Sequence, residues 1–108
     1  TLPMMAVGGY GIISVASHLV GKQIKDMMNK FLAGDTAGAA ALHRKLLPLF
    51  QAMFVVSNPI PVKYAVNYMG FPVGNPRLPL TPPDAKAVAA IEAEVKRHHI
   101  DLPVLAQR

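Results

Sequence analysis

Cysteine is absent from the 108-residue chain, and so is tryptophan. Without cysteine there is no disulfide framework and no thiolate metal site, which excludes a small cross-linked extracellular scaffold. Charge is scarce too, at 16% against 52% hydrophobic residues. The surface-to-volume ratio of so small a domain calls for more. Long apolar runs are also lacking, because Gly, Lys, Pro or His interrupts each stretch before the about 18 residues of a membrane span are reached. No basic segment followed by an apolar one marks a secretion signal, and Thr1 is not an initiator residue. Surplus apolar surface without a spanning helix points to burial against further polypeptide or other subunits.

Lysine and arginine number 11 against 6 acidic residues, for a formal charge of +5. Nucleic-acid binding requires such cations on one face, among aromatic or polar readers. Here they are scattered from Lys22 to Arg108, and the three tyrosines are not interleaved with them. The pattern speaks against a nucleic-acid partner.

Two segments stand out. The first is a glycine cluster running into a β-branched stretch, Gly8-Gly9-Tyr10-Gly11-Ile12-Ile13-Ser14-Val15; the second is a rigid elbow, Asn58-Pro59-Ile60-Pro61-Val62-Lys63. Residues 2–7 predict the end of a helix, with Gly8 suited to a left-handed cap. Residues 12–15 predict a strand too apolar to be half exposed, covered on both faces as in a parallel sheet. One strand cannot pair its own edges, and unpaired buried backbone groups are costly. The strand therefore calls for a sheet built elsewhere, and the chain reads as the tail end of something larger.

From Ala16 the period changes. Ala16, Leu19, Val20, Ile24, Met27, Met28, Phe31 and Leu32 recur at three- and four-residue steps, as on one helix face. Gly34 is placed to cap that helix and Asp35 to start the next, which the pattern carries from Thr36 to Val56. Its stripe is Leu42, Leu46, Leu49, Phe50 and Met53, flanked by Leu47 and Phe54, with a bend expected at Pro48. The elbow stops it, and Pro61 opens a short helix that turns Val62, Ala65, Val66 and Met69 inward and closes at Gly70. After an extended link over residues 71–80, Thr81-Pro82-Pro83-Asp84 predicts a capping box for a last helix over about residues 82–99. Ala85, Val88, Ala89, Ile91, Ala93 and Val95 are its expected inner positions, and residues 101–108 are expected to fray. The outline is one strand followed by helices, an α/β pattern at its front and mostly α thereafter.

Candidate chemistry is sparse. A phosphate-cradling glycine loop follows a strand and opens a helix, whereas these glycines precede the strand, so a tight turn is the better reading. His98 and His99 are adjacent and about 100° apart on a helix, so one ion cannot readily use both. His18 and His43 have no second ligand at a useful spacing. Ser14 and Ser17 lack a nucleophile elbow and fit capping of the following helix. Lys63 could in principle form a Schiff base, but an exposed or carboxylate-paired lysine is far commoner. The six methionines fall at core spacings. One rule gives residues 13–17 functional weight: in parallel α/β folds, ligands bind at the carboxyl ends of strands. That end offers an apolar wall and backbone groups, with no acid, base or nucleophile.

These two segments, together with Leu46-Leu47-Pro48-Leu49-Phe50 and Arg77-Leu78-Pro79-Leu80, resemble in order and spacing the C-terminal third of dihydrodipicolinate synthases. The Asn-Pro-Ile-Pro-Val-Lys stretch is the more specific motif, separating these synthases from sugar-acid lyases of the same superfamily. The resemblance implies a (β/α)8 TIM barrel followed by an α-helical C-terminal domain. Residues 1–34 would be the barrel's end, with 12–15 as its eighth strand, and residues 35–108 the appended helices. It implies a cytoplasmic homotetrameric lyase without a cofactor, condensing pyruvate with aspartate semialdehyde in lysine (diaminopimelate) biosynthesis. It further implies a Schiff base on a lysine of the sixth strand and a tyrosine proton relay. Both fall outside this chain, and Lys63 does not align with that lysine. Ile13 is the one position that carries over, as a wall of the substrate pocket; Val7 falls in a region used between dimers. Two alternatives stand beside it: another pyruvate-dependent aldolase or dehydratase acting on a sugar acid, and a stand-alone helical interaction module.

Overall fold

The computed structural model describes residues 1–102, and the expected fraying of residues 103–108 falls outside them. Five helices make up its regular structure: α1 (Leu2–Ala6), α2 (Ser17–Leu32), α3 (Thr36–Ala52), α4 (Ile60–Tyr68) and α5 (Ala85–Arg97).

α1 is a single turn stopped by glycine. Gly8 takes φ +95°, and its N–H donates to the Met5 carbonyl at 3.0 Å. The Gly9 N–H reaches the Met4 carbonyl at 2.7 Å, so close that a Cβ on residue 9 would sit 2.7 Å from the same oxygen. The cluster is thus a tight turn, as its order in the sequence indicates. The strand expected over residues 12–15 is absent among the described residues, where residues 9–14 have no regular structure. A strand exists only by pairing, and none of the N–H groups of residues 10–16 donates to a backbone carbonyl of the described residues.

The helices pack around one apolar core. Leu19, Val20 and Met27 from α2, Leu46 and Leu49 from α3, Ala65 from α4 and Ile91 from α5 are all fully buried, with Met53 just beyond α3. Met28, Phe31, Leu42, Phe50, Val66 and Met69 pack against it half-buried, as the periodicity predicts. Leu32 departs from the pattern: at the last residue of α2 it is exposed, because the chain turns away at Gly34, φ +86°. Asp35 caps α3 by accepting from the Gly38 N–H at 2.9 Å.

Two boundaries differ from the sequence reading. α3 carries Pro48 in its interior and ends at Ala52, four residues short of Val56, with Phe54 and Val55 exposed in the following turn. α5 begins at Ala85, not near residue 82. Asp84 is its cap, accepting from the Ala87 N–H at 2.8 Å, and the two prolines stand before it. A proline disfavours helical geometry in the residue ahead of it, which leaves Asp84 as the first polar side chain able to reach a free amide. The inner face is correspondingly Ala87, Ile91 and Val95, while Ala85, Ala89 and Ala93 are exposed.

Asp101 is anchored to α2 and does not fray: its N–H donates to the Leu19 carbonyl at 2.7 Å, and its carboxylate accepts from Gln23.

Candidate functional site

The segment ahead of α2 is tied to its first turn by two serines. The Ser17 N–H donates to Ser14 Oγ at 3.1 Å, and Ser17 Oγ donates to the Ser14 carbonyl at 2.6 Å. Ser14 Oγ thus takes up a free amide of the first turn, and the Ser17 hydroxyl ties that turn back to the segment before it. The geometry fixes where the preceding residues point. Ile13 stands fully out of the chain at 106% relative exposure, and Tyr10 and Val7 are nearly as open.

Two clefts flank Ile13. One, of about 220 Å³, is apolar and lies between Ile12, Ile13 and Val15 on one side and Phe50 and Phe54 of the α3 end on the other. The other, about 250 Å³, has Ile13, Ser14 and His18 facing Asn58, Pro59 and Val62. The tertiary structure therefore brings together the two segments that stand out in the sequence. A neighbouring groove of about 250 Å³ continues along α4 past His18, Lys63, Val66 and Val73. Lys63 is half-buried at its rim.

Chemically this surface is a wall. Among the described residues no group of three or more His, Cys, Asp or Glu side chains could hold a metal. His98 is committed to backbone: Nδ1 lies 2.8 Å from the Glu94 carbonyl and Nε2 2.8 Å from that of Lys45. His99 offers its own carbonyl to Gln23. Nothing beside Ile13 supplies an activated nucleophile or a positioned acid–base pair.

One polar cluster has no counterpart in the sequence reading. The Tyr64 hydroxyl donates to Glu92 Oε1 at 2.8 Å, and Lys96 Nζ donates to Glu92 Oε2 at 2.9 Å. Tyr68 stacks on Tyr64 and lies under the Lys96 ammonium. The Lys96 and Tyr64 hydrogen bonds hold the Glu92 carboxyl below the usual carboxylate range. The same bonds raise Tyr64 and Lys96 above their ordinary values. This cluster links α4 to α5 and lines neither cleft at Ile13. The Glu92–Lys96 spacing was the available signal; the tyrosine partner, from another helix, left none.

The sequence profile of the dihydrodipicolinate synthetase family matches residues 1–98. The 4-hydroxy-tetrahydrodipicolinate synthase of Dehalococcoides mccartyi (strain ATCC BAA-2266 / KCTC 15142 / 195) is 60% identical over 104 residues, covering 96% of this chain and 35% of that protein. That of Moorella thermoacetica is 53% identical over 96 residues, 89% of this chain and 33% of the relative. Among solved structures, dihydrodipicolinate synthase from Thermotoga maritima superposes with a TM-score of 0.86 at 40% identity, over 90% of this chain and 33% of that one. The synthase of Cyanidioschyzon merolae, solved with lysine bound, gives 0.87 at 41% identity, over 89% and 33%. The chain thus spans about a third of the length of the relatives it matches. With nearly its whole length matched, the chain belongs to the dihydrodipicolinate synthetase family.

Proposed function

We propose that this chain forms the C-terminal third of a 4-hydroxy-tetrahydrodipicolinate synthase. On this reading residues 1–34 close a (β/α)8 barrel and residues 35–108 are an appended helical domain. The full-length protein is then a cytoplasmic lyase of lysine biosynthesis. It condenses pyruvate with L-aspartate 4-semialdehyde, holding pyruvate as a Schiff base on a lysine outside this chain. A tyrosine, also outside it, relays protons.

The observation that carries the reading is the state of residues 10–16. Among the described residues their N–H groups have no backbone acceptor, and Ile13 projects fully into the open. A β-branched segment whose amide donors are unspent is suited to pairing between two neighbouring strands. In a barrel such a segment presents alternate side chains inward at the end where substrates bind. Ile13 then serves as a pyruvate-pocket wall. An imine is hydrolysed by water, so an apolar side chain beside it protects the intermediate without taking part in the chemistry. Val7, exposed on the turn after α1, falls in the contact between dimers of a homotetramer.

The test is reduction with borohydride in the presence of pyruvate. The full-length protein is expected to trap a pyruvate adduct and the 108-residue chain none. An adduct on Lys63 of the isolated chain would overturn the assignment. In sedimentation, Val7→Asp in the full-length protein is expected to shift the tetramer toward dimers.

A further inference from the structure

α2 is broken one turn from its start. Val20 has φ −131° and ψ 35°, outside the helical region, although residues on both sides are helical. A β-branched side chain tolerates that extended φ well. In an unbroken helix the Leu19 carbonyl would accept from the Gln23 N–H, four residues on. At the break the Leu19 carbonyl accepts from the Asp101 N–H at 2.7 Å, and the Gln23 N–H donates to Asp101 Oδ2 at 3.1 Å. One residue from the far end of the chain thus supplies both a donor and an acceptor at the gap. The Gln23 side chain doubles the link, its Nε2 donating to Asp101 Oδ1 at 3.1 Å and to the His99 carbonyl at 2.8 Å.

We propose that Asp101 is a positioning residue: it stands in for the missing rung of α2 and so fixes the first turn that holds the Ile13 wall. The mechanical path is short. Residues Ser17 to Val20 form the turn between the break and the site. The Val20 and Leu19 N–H groups donate to the Ala16 carbonyl at 3.0 Å each, and Ser17 is bonded twice to Ser14, next to Ile13. Leu19 and Val20 are fully buried, so the turn cannot shift without moving the core. A free carbonyl and a free amide at such a break would otherwise leave that turn loosely held. Asp101 lies beyond residue 98, where the match to the family profile ends. The proposal rests on the reading of Ile13 as a pyruvate wall only for its kinetic consequence.

Hydrogen exchange and steady-state kinetics on the full-length protein test the two parts separately. In Asp101→Ala, exchange over residues 19–24 is expected to accelerate on the order of tenfold or more, with residues 87–95 of α5 unchanged. The KM for pyruvate is expected to rise several-fold with kcat within about twofold. Asp101→Asn retains one acceptor and the N–H, and is expected to restore most of both. Asp101→Pro removes the N–H to Leu19 and is expected to match or exceed the alanine variant. Unchanged exchange over residues 19–24 in both the alanine and proline variants overturns the proposal. Faster local exchange with an unaltered pyruvate KM overturns the positioning role if Ile13→Ala raises that KM, and overturns the wall reading of Ile13 if it does not. A uniform rise in exchange across α5 as well would mean general destabilisation and would also overturn the positioning role.

Discussion

The body of the molecule and its front behave as opposites. In α2 to α5 most of the apolar residues are buried: Leu19, Met27, Leu46, Leu49 and Ile91 are fully so, and the helices are tied by local caps and by polar links such as Tyr64–Glu92 and His98–Lys45. Ahead of α2, similar residue types are open, with Ile13, Tyr10, Val7 and Met4 all exposed. Hydrophobicity alone does not tell the two apart. What distinguishes them is whether the chain brings a second surface to each. The helical part closes on itself, α2 on α3 and α5 on both α3 and α4, while ahead of α2 the N–H groups of residues 10–13 have no backbone acceptor among the described residues and Ile13 stays uncovered.

If that contrast is right, truncation should hurt one region far more than the other. Ile91→Ala opens a cavity where α5 packs on α3 and α4 and is expected to cost about 2–5 kcal/mol in chemical denaturation. A cost below about 1 kcal/mol would mean the helical body is loosely packed. Next in size, Asp84→Ala removes the carboxylate that accepts from the Ala87 N–H. About 1 kcal/mol is the usual loss for such a cap. Asp84→Asn should recover most of it.

At the front the expectation reverses. Ile13→Ala should leave the stability of the 108-residue chain within about 0.5 kcal/mol, since an exposed side chain has little packing to lose. In the full-length protein the same change should raise the pyruvate KM. A large stability loss in the isolated chain would show that Ile13 is packed already, and would erase the contrast.

The smallest effect belongs to the Tyr64–Glu92–Lys96 link. Glu92 is held below its ordinary value, first by Lys96 and then by Tyr64. Its contribution is therefore present above the ordinary carboxylate range and lost as pH falls through the lowered value. Tyr64 and Lys96 are raised, chiefly by their hydrogen bonds to Glu92. Theirs is full below the ordinary phenol and amine ranges and lost as pH rises through the raised values. Because the cluster is open to solvent, both limbs are shallow. Glu92→Gln is expected to flatten each of them in melting temperature against pH, whereas Tyr64→Phe, which leaves the Glu92–Lys96 pair in place, should flatten only part of each.

Much of the helical body was legible because its signals are short-range. A helix face repeats every three to four residues, Gly8 and Gly34 carry the positive φ their neighbours require, and Asp35 reaches an amide three residues on. Errors arose where two local signals competed. Thr81 and Asp84 both fit a cap, and only the placement of Pro82 and Pro83 outside the helix decides for Asp84. Beyond Ala52, apolar residues continued the pattern while the backbone did not follow. The site was legible in composition and not in form. Residues 12–15 carry a strand's side chains, but a strand is a relation between segments, and its partner strands are not among the described residues.

By itself, then, the sequence determined the order of the helices from α2 onward, the Asp35 cap and most of the inner faces of α2 to α4, and through short motifs a family. Those are consequences of torsional preference and of hydrogen bonds reaching a few residues along the chain. Only the tertiary structure decided that Ile13 meets Asn58 and Pro59 across a cleft, that Tyr64 finds Glu92, and that Asp101 completes the broken ladder of α2. Each of those joins residues far apart in the chain. No local propensity encodes such a contact; it forms only once burial of the core has brought the helices together.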